Sequence, residues 1–275
     1  MPIKDILVGL VTQDEADPAR DFALAMAAHY RAHVTAIAYA LTPDVPFSIY
    51  PGFVSSLAEQ FRAKADQAVE ARRDEFVNAA RNTGVEHTFE KESGSMQFAA
   101  SNFTSRLRTA DLGILTQHKT GELERWGDVL LEAALFRSGR PLIIVPRGFQ
   151  PSFSVRRVLI AWDASIHATR AVAAAAALMP TGATIEVFTV EEPSKGTKFR
   201  GNALVQHLRR HGLDAGLAER RERDVPEAIL REVEFFRASL IVMGGYGSSR
   251  FREFLFGGAT QLMLRKMPVP VLMAH

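Results

Sequence analysis

The stretch Ala238–Thr260 reads ASLIVMGGYGSSRFREFLFGGAT, and its order decides the fold. ASLIVMG is apolar on both faces, as expected of a strand covered by helices on both sides. A glycine-rich turn follows, and then a segment that reads as a helix. Working outward, the first half of the chain repeats the pattern. ADLGILT (Ala110–Thr116) matches ASLIVMG (Ala238–Gly244), and DILVG (Asp5–Gly9) matches RVLIA (Arg157–Ala161). Each opening strand precedes an Ala-rich helical stretch, Ala19–Arg31 or His167–Met179. Second strands then read VTAIAY (Val34–Tyr39) and TIEVFTV (Thr184–Val190), and polar strands Val85–Lys91 and Ala215–Arg221 come next. GRPLIIVP (Gly139–Pro146) and MPVPVLMA (Met267–Ala274) close the two halves. Fixed order at a long period marks an internal repeat.

Strands that alternate with helices of about ten or more residues pair in parallel through right-handed crossovers. The expected class is therefore α/β, with two doubly wound, open, parallel five-stranded sheets of Rossmann-like type, one per repeat. The expected domains are residues 1–147 and 155–275, bridged by the Gly/Pro/Ser-containing segment RGFQPSFSV (Arg147–Val155). Pro141, Pro268 and Pro270 favour edge or terminal strand positions, because proline donates nothing to a ladder.

The composition narrows the function. The chain has 275 residues, with 33 Lys+Arg against 31 Asp+Glu and a net charge of +2. That balance argues against a polycationic nucleic-acid arm. The absence of cysteine removes disulfide scaffolds, thiolate zinc sites, iron–sulfur clusters and cysteine nucleophiles. The N-terminus lacks the pattern of a signal peptide, and the longest helical apolar run, Ala171–Met179, is too short to span a bilayer. The expectation is a soluble, cytoplasmic protein with no nucleic-acid and no membrane partner.

The halves differ in length. Ile6 to Leu115 is 109 positions and Val158 to Met243 is 85, so the first half carries 24 more. The excess lies between Leu41 and about Ala80. It comprises a Pro/aromatic loop, TPDVPFSIYPGF, and a charged helix over Ser55–Arg81. This insertion, residues 42–81, reads as a surface hairpin or as a docking element for a protein partner through Phe47, Tyr50 and Phe53.

Glycines at a strand-to-helix turn permit positive φ and let backbone N–H groups approach a ligand without a Cβ in the way. The start of the following helix adds unpaired N–H donors and partial positive charge, which suits phosphate. The spacing is Gly244-x-x-Gly247, nine residues (Ser248–Phe256), then Gly257-Gly258. No G-x-x-x-x-G-K-[ST] occurs, and no G-x-G-x-x-G follows either opening strand, so neither a P-loop nor a dinucleotide fingerprint is present.

These residues resemble the universal stress protein family in its tandem two-domain form. Nucleotide-binding members of that family carry G-x-x-G-x9-G-[ST] after the fourth strand; Gly244, Gly247 and Gly257 match it, and Gly258 stands at the Ser/Thr position. The family's first strand ends in an Asp, often as D-G-S, which WDAS (Trp162–Ser165) meets with Asp163 and Ser165. The resemblance implies an adenine nucleotide alpha hydrolase-like fold and an adenine nucleotide (ATP, AMP or ADP, with Mg as a possible companion) at the strand ends. It puts Asp163 by the adenine or ribose and the backbone near Val190 at the adenine edge. Gly244, Gly247, Ser248, Ser249, Gly257 and Gly258 would line the phosphates. Gly258 lacks the family's hydroxyl, which removes a hydrogen bond worth about 0.5–1.5 kcal/mol. Ser248 stands where many relatives carry Arg, leaving Arg250, Arg252 or Lys266 to supply a cation. The resemblance also implies an internal pseudo-dimer joined through the last strands; a homodimer of the whole chain is a further option.

The first half departs from that pattern. Val11 stands at the position of Asp163, Thr116 to Lys119 replace Gly244 to Gly247, and Asp128 and Val129 replace Gly257 and Gly258. It reads as a structural or partner-binding copy. The i,i+4 pairs His29/His33 and His207/His211 have zinc-helix spacing but lack the HExxH glutamate and a third ligand. No G-x-S-x-G elbow occurs, and Ser165 reads first as a helix cap. No catalytic residue is assigned, and at most slow hydrolysis or autophosphorylation on Ser248 or Ser249 is compatible. The expected role is regulatory, in a stress response. The competing readings are a protein-interaction module without nucleotide and a small-ligand carrier of the same fold.

Overall fold

The computed structural model describes residues 3–10, 17–41, 51–117, 125–150, 153, 155–180, 182–191, 201–245 and 258–275. The chain divides into two compact units, one of residues 3–140 with 150–153, the other of 141–149 with 154–275.

In the N-terminal unit, β1 (Asp5–Leu10) is central, with β2 (His33–Leu41) on one side and β4 (Leu112–Thr116) on the other. The polar strand β3 (His87–Gly94) pairs with β2, and all these pairings are parallel. Helix α1 (Pro18–Tyr30) starts at Asp17, whose Oδ1 accepts the Arg20 N–H at 3.2 Å, with proline at the first turn; it stops at Arg31 in the left-handed region. That stop overturns one expected pair: His29 ends α1, but His33 opens β2, where its Nε2 meets Thr88 Oγ1 at 3.0 Å. The two imidazoles therefore share no helix face.

Helix α2 runs over Pro51–Thr83, longer than the charged pattern indicated. Val69, Phe76 and Ala80 are fully buried, so its C-terminal part belongs to the core rather than to a surface hairpin. Its exposed face is held by ion pairs, Lys91 with Asp66 at 2.9 Å and with Glu70 at 3.0 Å. Phe47 and Tyr50 lie outside the described residues, and so does the side chain of Phe53. Helices α3 (Met96–Leu107) and α4 (Arg125–Arg137) pack together. Phe153, from the bridge between the repeats, sits against Phe22 and Tyr30 of α1, each at 5.5 Å between ring centroids.

The C-terminal unit has the strand order β5-β10-β9-β6-β7-β8. Its parallel part comprises β6 (Arg157–Ala161), β7 (Thr184–Glu191), β8 (Asp214–Arg221), β9 (Leu240–Gly244) and β10 (Val271–Ala274). The last strand of the first repeat, β5 (Leu142–Val145), pairs antiparallel with β10, Leu272 opposite Ile143. The doubly wound α/β class is thus present, and each half of the chain supplies five strands as expected, β1 to β5 and β6 to β10; β5 is grouped with the C-terminal unit through its pairing with β10. The reason is the edge: β10 is a short, buried, apolar strand, and an unpaired edge of that kind is a liability. Right-handed crossovers put α5 (Ile166–Ala176) and α6 (Gly201–Arg210) on one face and α7 (Val225–Phe236) and α8 (Gly258–Lys266) on the other. Between the layers lie Leu159, Ile160, Val187, Ile241, Val242 and Leu272. No described helix is long and apolar enough to cross a membrane.

One polar group interrupts this core. Glu186 on β7 is pushed up to about 7 by burial and by the neighbouring Glu232 of α7. Glu232 is itself buried and pairs with Arg220 of β8 at 3.2 Å, so the cation is already engaged. A carboxyl whose folded-state pKa is raised holds its proton more tightly in the folded chain, so stability falls as pH rises from about 4.5 to about 7. Glu186→Gln is therefore expected to raise stability at pH 8 by about 1 kcal/mol after solvent screening and to have little effect at pH 4.5. Urea unfolding at the two pH values checks this; equal effects at both would reject it.

Candidate functional site

β6 and β9 are neighbours, with Ala161 opposite Met243. The chain leaves β6 through α5 toward β7, and leaves β9 through α8 toward β10, on the opposite side. Where crossovers diverge in this way, a crevice opens at the carboxyl ends of the strands. Asp163 and Ser165 follow β6, and Gly244 ends β9, so three of the residues singled out from the sequence converge there.

The loop Trp162–Ser165 is tightly specified. The Trp162 N–H donates to the Phe188 carbonyl at 2.8 Å, extending the β6–β7 ladder by one residue. Asp163 is exposed, and its Oδ1 accepts the Ser165 N–H at 2.9 Å, which fixes the carboxylate at the crevice mouth. Ala164 adopts φ +60°, a left-handed conformation that costs a residue with a Cβ about 1–2 kcal/mol. Ser165 caps α5, its Oγ accepting the Ala168 N–H at 3.1 Å. The second half of D-A-S is thus occupied with starting a helix.

Gly244 has a packing reason for being glycine. A Cβ there would lie 2.6 Å from the Ala168 nitrogen and 2.9 Å from the His167 carbonyl carbon. The first turn of α5 rests directly on the end of β9. Beside it, His167 stacks on His275 with ring centroids 4.1 Å apart, and His167 Nδ1 has no hydrogen-bond partner among the described residues. The Gly245 N–H donates to the Ala274 carbonyl at 2.9 Å. Gly258 is the first residue of α8, whose opening N–H groups have no partner within the helix. Val190 lies half-buried near the end of β7, next to the buried Thr189, whose Oγ1 is also without a partner among the described residues. Gly247, Ser248, Ser249 and Gly257 lie outside the described residues, as do Arg250 and Arg252. Lys266 pairs with Glu227 at 3.4 Å. No cluster of three His, Asp or Glu suited to a metal occurs among the described residues.

Comparison with known proteins gives this geometry a context. Residues 196–275 match the Universal stress protein family. The C-terminal part carries a universal stress protein domain. The chain is 27% identical over 175 residues to a universal stress protein of Synechocystis sp., a match covering 59% of this chain and 58% of that protein. In structure it is similar to a universal stress protein from Archaeoglobus fulgidus DSM 4304, at TM-score 0.72 and 16% identity, over 98% of this chain and 95% of the other. A functionally unknown protein from Pseudomonas aeruginosa PAO1 follows at TM-score 0.60 and 15% identity, over 98% and 92% of the two chains. At these identities the structural likeness concerns the fold.

The same corner of the N-terminal unit is built differently from that of the universal stress protein domain. Thr116 ends β4 where Gly244 ends β9. It is buried, donates through Oγ1 to Asp17 Oδ1 at 3.0 Å and accepts the Ala19 N–H at 3.3 Å. Strand end and helix start are sewn together, and the buried carboxylate of Asp17 repels an anion. Asp128 lies in the first turn of α4; Val11, His118 and Lys119 lie outside the described residues.

Sequence reading missed Trp162, Ala164 and His167 as members of this corner; their position directly after an opening strand was the available signal. Two substitutions probe it. Ala164→Gly relieves the left-handed Cβ and is expected to stabilise the protein by about 0.5–1 kcal/mol, after the entropy that glycine adds to the unfolded chain. Gly244→Ala forces backbone against backbone and is expected to cost about 1–3 kcal/mol. Thermal and urea unfolding read both, and a neutral Gly244→Ala would show that α5 does not bear on β9.

Proposed function

We propose that the chain is a tandem universal stress protein whose C-terminal repeat binds an adenine nucleotide, with ATP as the ligand and regulation as the role, in the cytoplasm. The repeats are residues 1–147 and 155–275. The observation that carries this reading is the meeting of Asp163 with the start of α5 and Gly244 where the crossovers of β6 and β9 diverge.

The residues fit such a ligand. Asp163 offers an acceptor, held by Ser165, to ribose or adenine hydroxyl and amino groups. Gly258 heads α8 without a side chain, so its first-turn N–H groups are open to phosphate oxygens. Gly247, Ser248, Ser249 and Gly257 continue the phosphate-lining segment, and the backbone near Val190 meets the adenine edge. The N-terminal repeat has no such role in this reading, because Thr116 and Asp17 fill its strand-end corner.

Calorimetric titration of MgATP into the full chain is the test. One saturable site is expected. Asp163→Ala removes a charged acceptor worth about 1.5–3 kcal/mol, and is expected to weaken binding about 10- to 150-fold. Gly247→Val is expected to abolish binding with the fold retained. No heat from the folded, nucleotide-free protein up to millimolar MgATP would reject the proposal.

One observation favours a second reading, an interaction module without nucleotide. Packing against α5 already accounts for Gly244, so that glycine does not require a ligand. In that reading residues 42–81 are the surface for a protein partner, with Phe61 exposed on α2.

A further inference from the structure

Two histidine pairs stand four residues apart in the sequence, His29/His33 and His207/His211, and only the second keeps that spacing as a helix face. The difference lies in where each helix stops. Helix α1 stops at Arg31, between its two histidines. Helix α6 stops after both. There the Gly212 N–H donates to the Arg209 carbonyl at 2.9 Å and the Leu213 N–H to the Leu208 carbonyl at 3.2 Å, with Gly212 at φ +77°. This is the paired closure of a glycine-terminated helix, and it makes His211 the last residue of the helical path. Side chains at i and i+4 then lie one above the other.

The rings meet at a spacing that one metal ion can bridge. An imidazole binds a metal through an in-plane nitrogen lone pair at about 2.0–2.1 Å, which puts the ring centroid about 3.2 Å from the ion. Two imidazoles about 90–110° apart on one ion then have centroids about 4.5–5.2 Å apart. The His207 and His211 centroids are 4.7 Å apart, with the rings inclined at 68°. His167 and His275 do not meet this requirement: they are stacked at 4.1 Å and 23°, so their in-plane lone pairs run side by side. His207 and His211 are both exposed, and an ion reaches them directly from solvent.

The surroundings choose the ion. Helix α6 carries no acidic residue, so hard cations that take oxygen ligands find no carboxylate on it. Two neutral imidazoles suit the borderline divalent metals, among which Cu²⁺ stands highest in affinity. Arg209 is turned away, its Nε donating to the Ala215 carbonyl at 2.8 Å. Arg210 is exposed beside His211, a like charge that weakens cation binding without blocking it.

We propose that His207 and His211 form a two-histidine site for a borderline divalent metal ion, Cu²⁺ first. The ion bridges the last turn of α6, and water completes its coordination. The site lies where α6 turns into β8, whose first residue is Asp214, on the amino-end side of the strands. Asp163 lies at the opposite, carboxyl ends, so the metal site does not depend on the nucleotide reading.

The probe is Cu²⁺ alone, titrated by calorimetry into the full chain at neutral pH, with electron paramagnetic resonance reading the ligand nitrogens. One saturable high-affinity site per chain is expected, with two nitrogens on the metal. His207→Ala and His211→Ala each leave a single imidazole and are expected to weaken binding at least about tenfold. Arg210→Gln removes the flanking charge and is expected to tighten binding about twofold. His29→Ala, in the pair that the fold separates, is expected to leave binding unchanged. Circular dichroism verifies the fold of each variant, and His207→Gln or His211→Gln replaces an alanine variant that does not fold. No saturable binding, parent-like affinity in the folded His207 and His211 variants, or an equal loss in His29→Ala would overturn the proposal.

Discussion

The first turn of α5 lies so close to the end of β9 that residue 244 has no room for a side chain. That contact governs the rest of the corner. With the helix start pinned to the strand, only four residues, Trp162 to Ser165, remain to carry the chain from β6 into α5. A connection that short must turn sharply. Ala164 supplies the turn at φ +60°, and Ser165 caps the helix immediately afterwards. Asp163 is left on the outer side of the bend with its carboxylate tied to the Ser165 N–H. The geometry that exposes an acceptor at the crevice is thus a consequence of close packing.

The two units show how one framework reaches two outcomes through a single position. With threonine at the end of β4, the hydroxyl reaches across to Asp17 and to the Ala19 N–H, and the corner closes on itself. With glycine at the end of β9, the helix backbone moves in, and the helix start is capped by Ser165 alone. The same division runs through the helix layer. Arg20 of α1 pairs with Glu75 of α2, and α2 is long enough to bring Phe76 into the core. Alanines on α5 and a short α6 leave the corresponding layer of the C-terminal unit with an open space. Side-chain volume and hydrogen-bond competition at a few positions account for these differences, while the strand order β2-β1-β4 and its counterpart β7-β6-β9 stay alike.

Much of the fold was legible because periodicity and apolar runs carry it. DILVG, RVLIA, ADLGILT and ASLIVMG each became a buried strand, and their order gave the crossovers. The convergence of Asp163 with Gly244 followed from the same order. The meeting of the last strands of the two halves, β5 and β10, was implied by the family resemblance and not by periodicity. Two things were not legible. The separation of His29 from His33 depends on Arg31 adopting a left-handed cap, a conformation that arginine does not advertise. The reach of α2 into the core depends on Val69, Phe76 and Ala80, whose spacing is diluted by the charges between them.

The strain at Ala164 bears on the nucleotide site proposed for this corner. Where glycine would hold the bend at no cost, alanine holds it at a cost of about 1–2 kcal/mol. Such a conformation persists only when its surroundings over-determine it. Here they do so from both sides, through the Trp162 N–H to Phe188 and the Ser165 cap on Ala168. The Cβ that creates the strain also stiffens the loop, because alanine has fewer backbone states than glycine. A stiff loop keeps Asp163 in one place before any ligand arrives, and an acceptor that need not be ordered on binding loses less entropy when it engages. The strained residue and the exposed carboxylate are therefore two parts of one preorganised turn, set by the same contact that makes residue 244 a glycine.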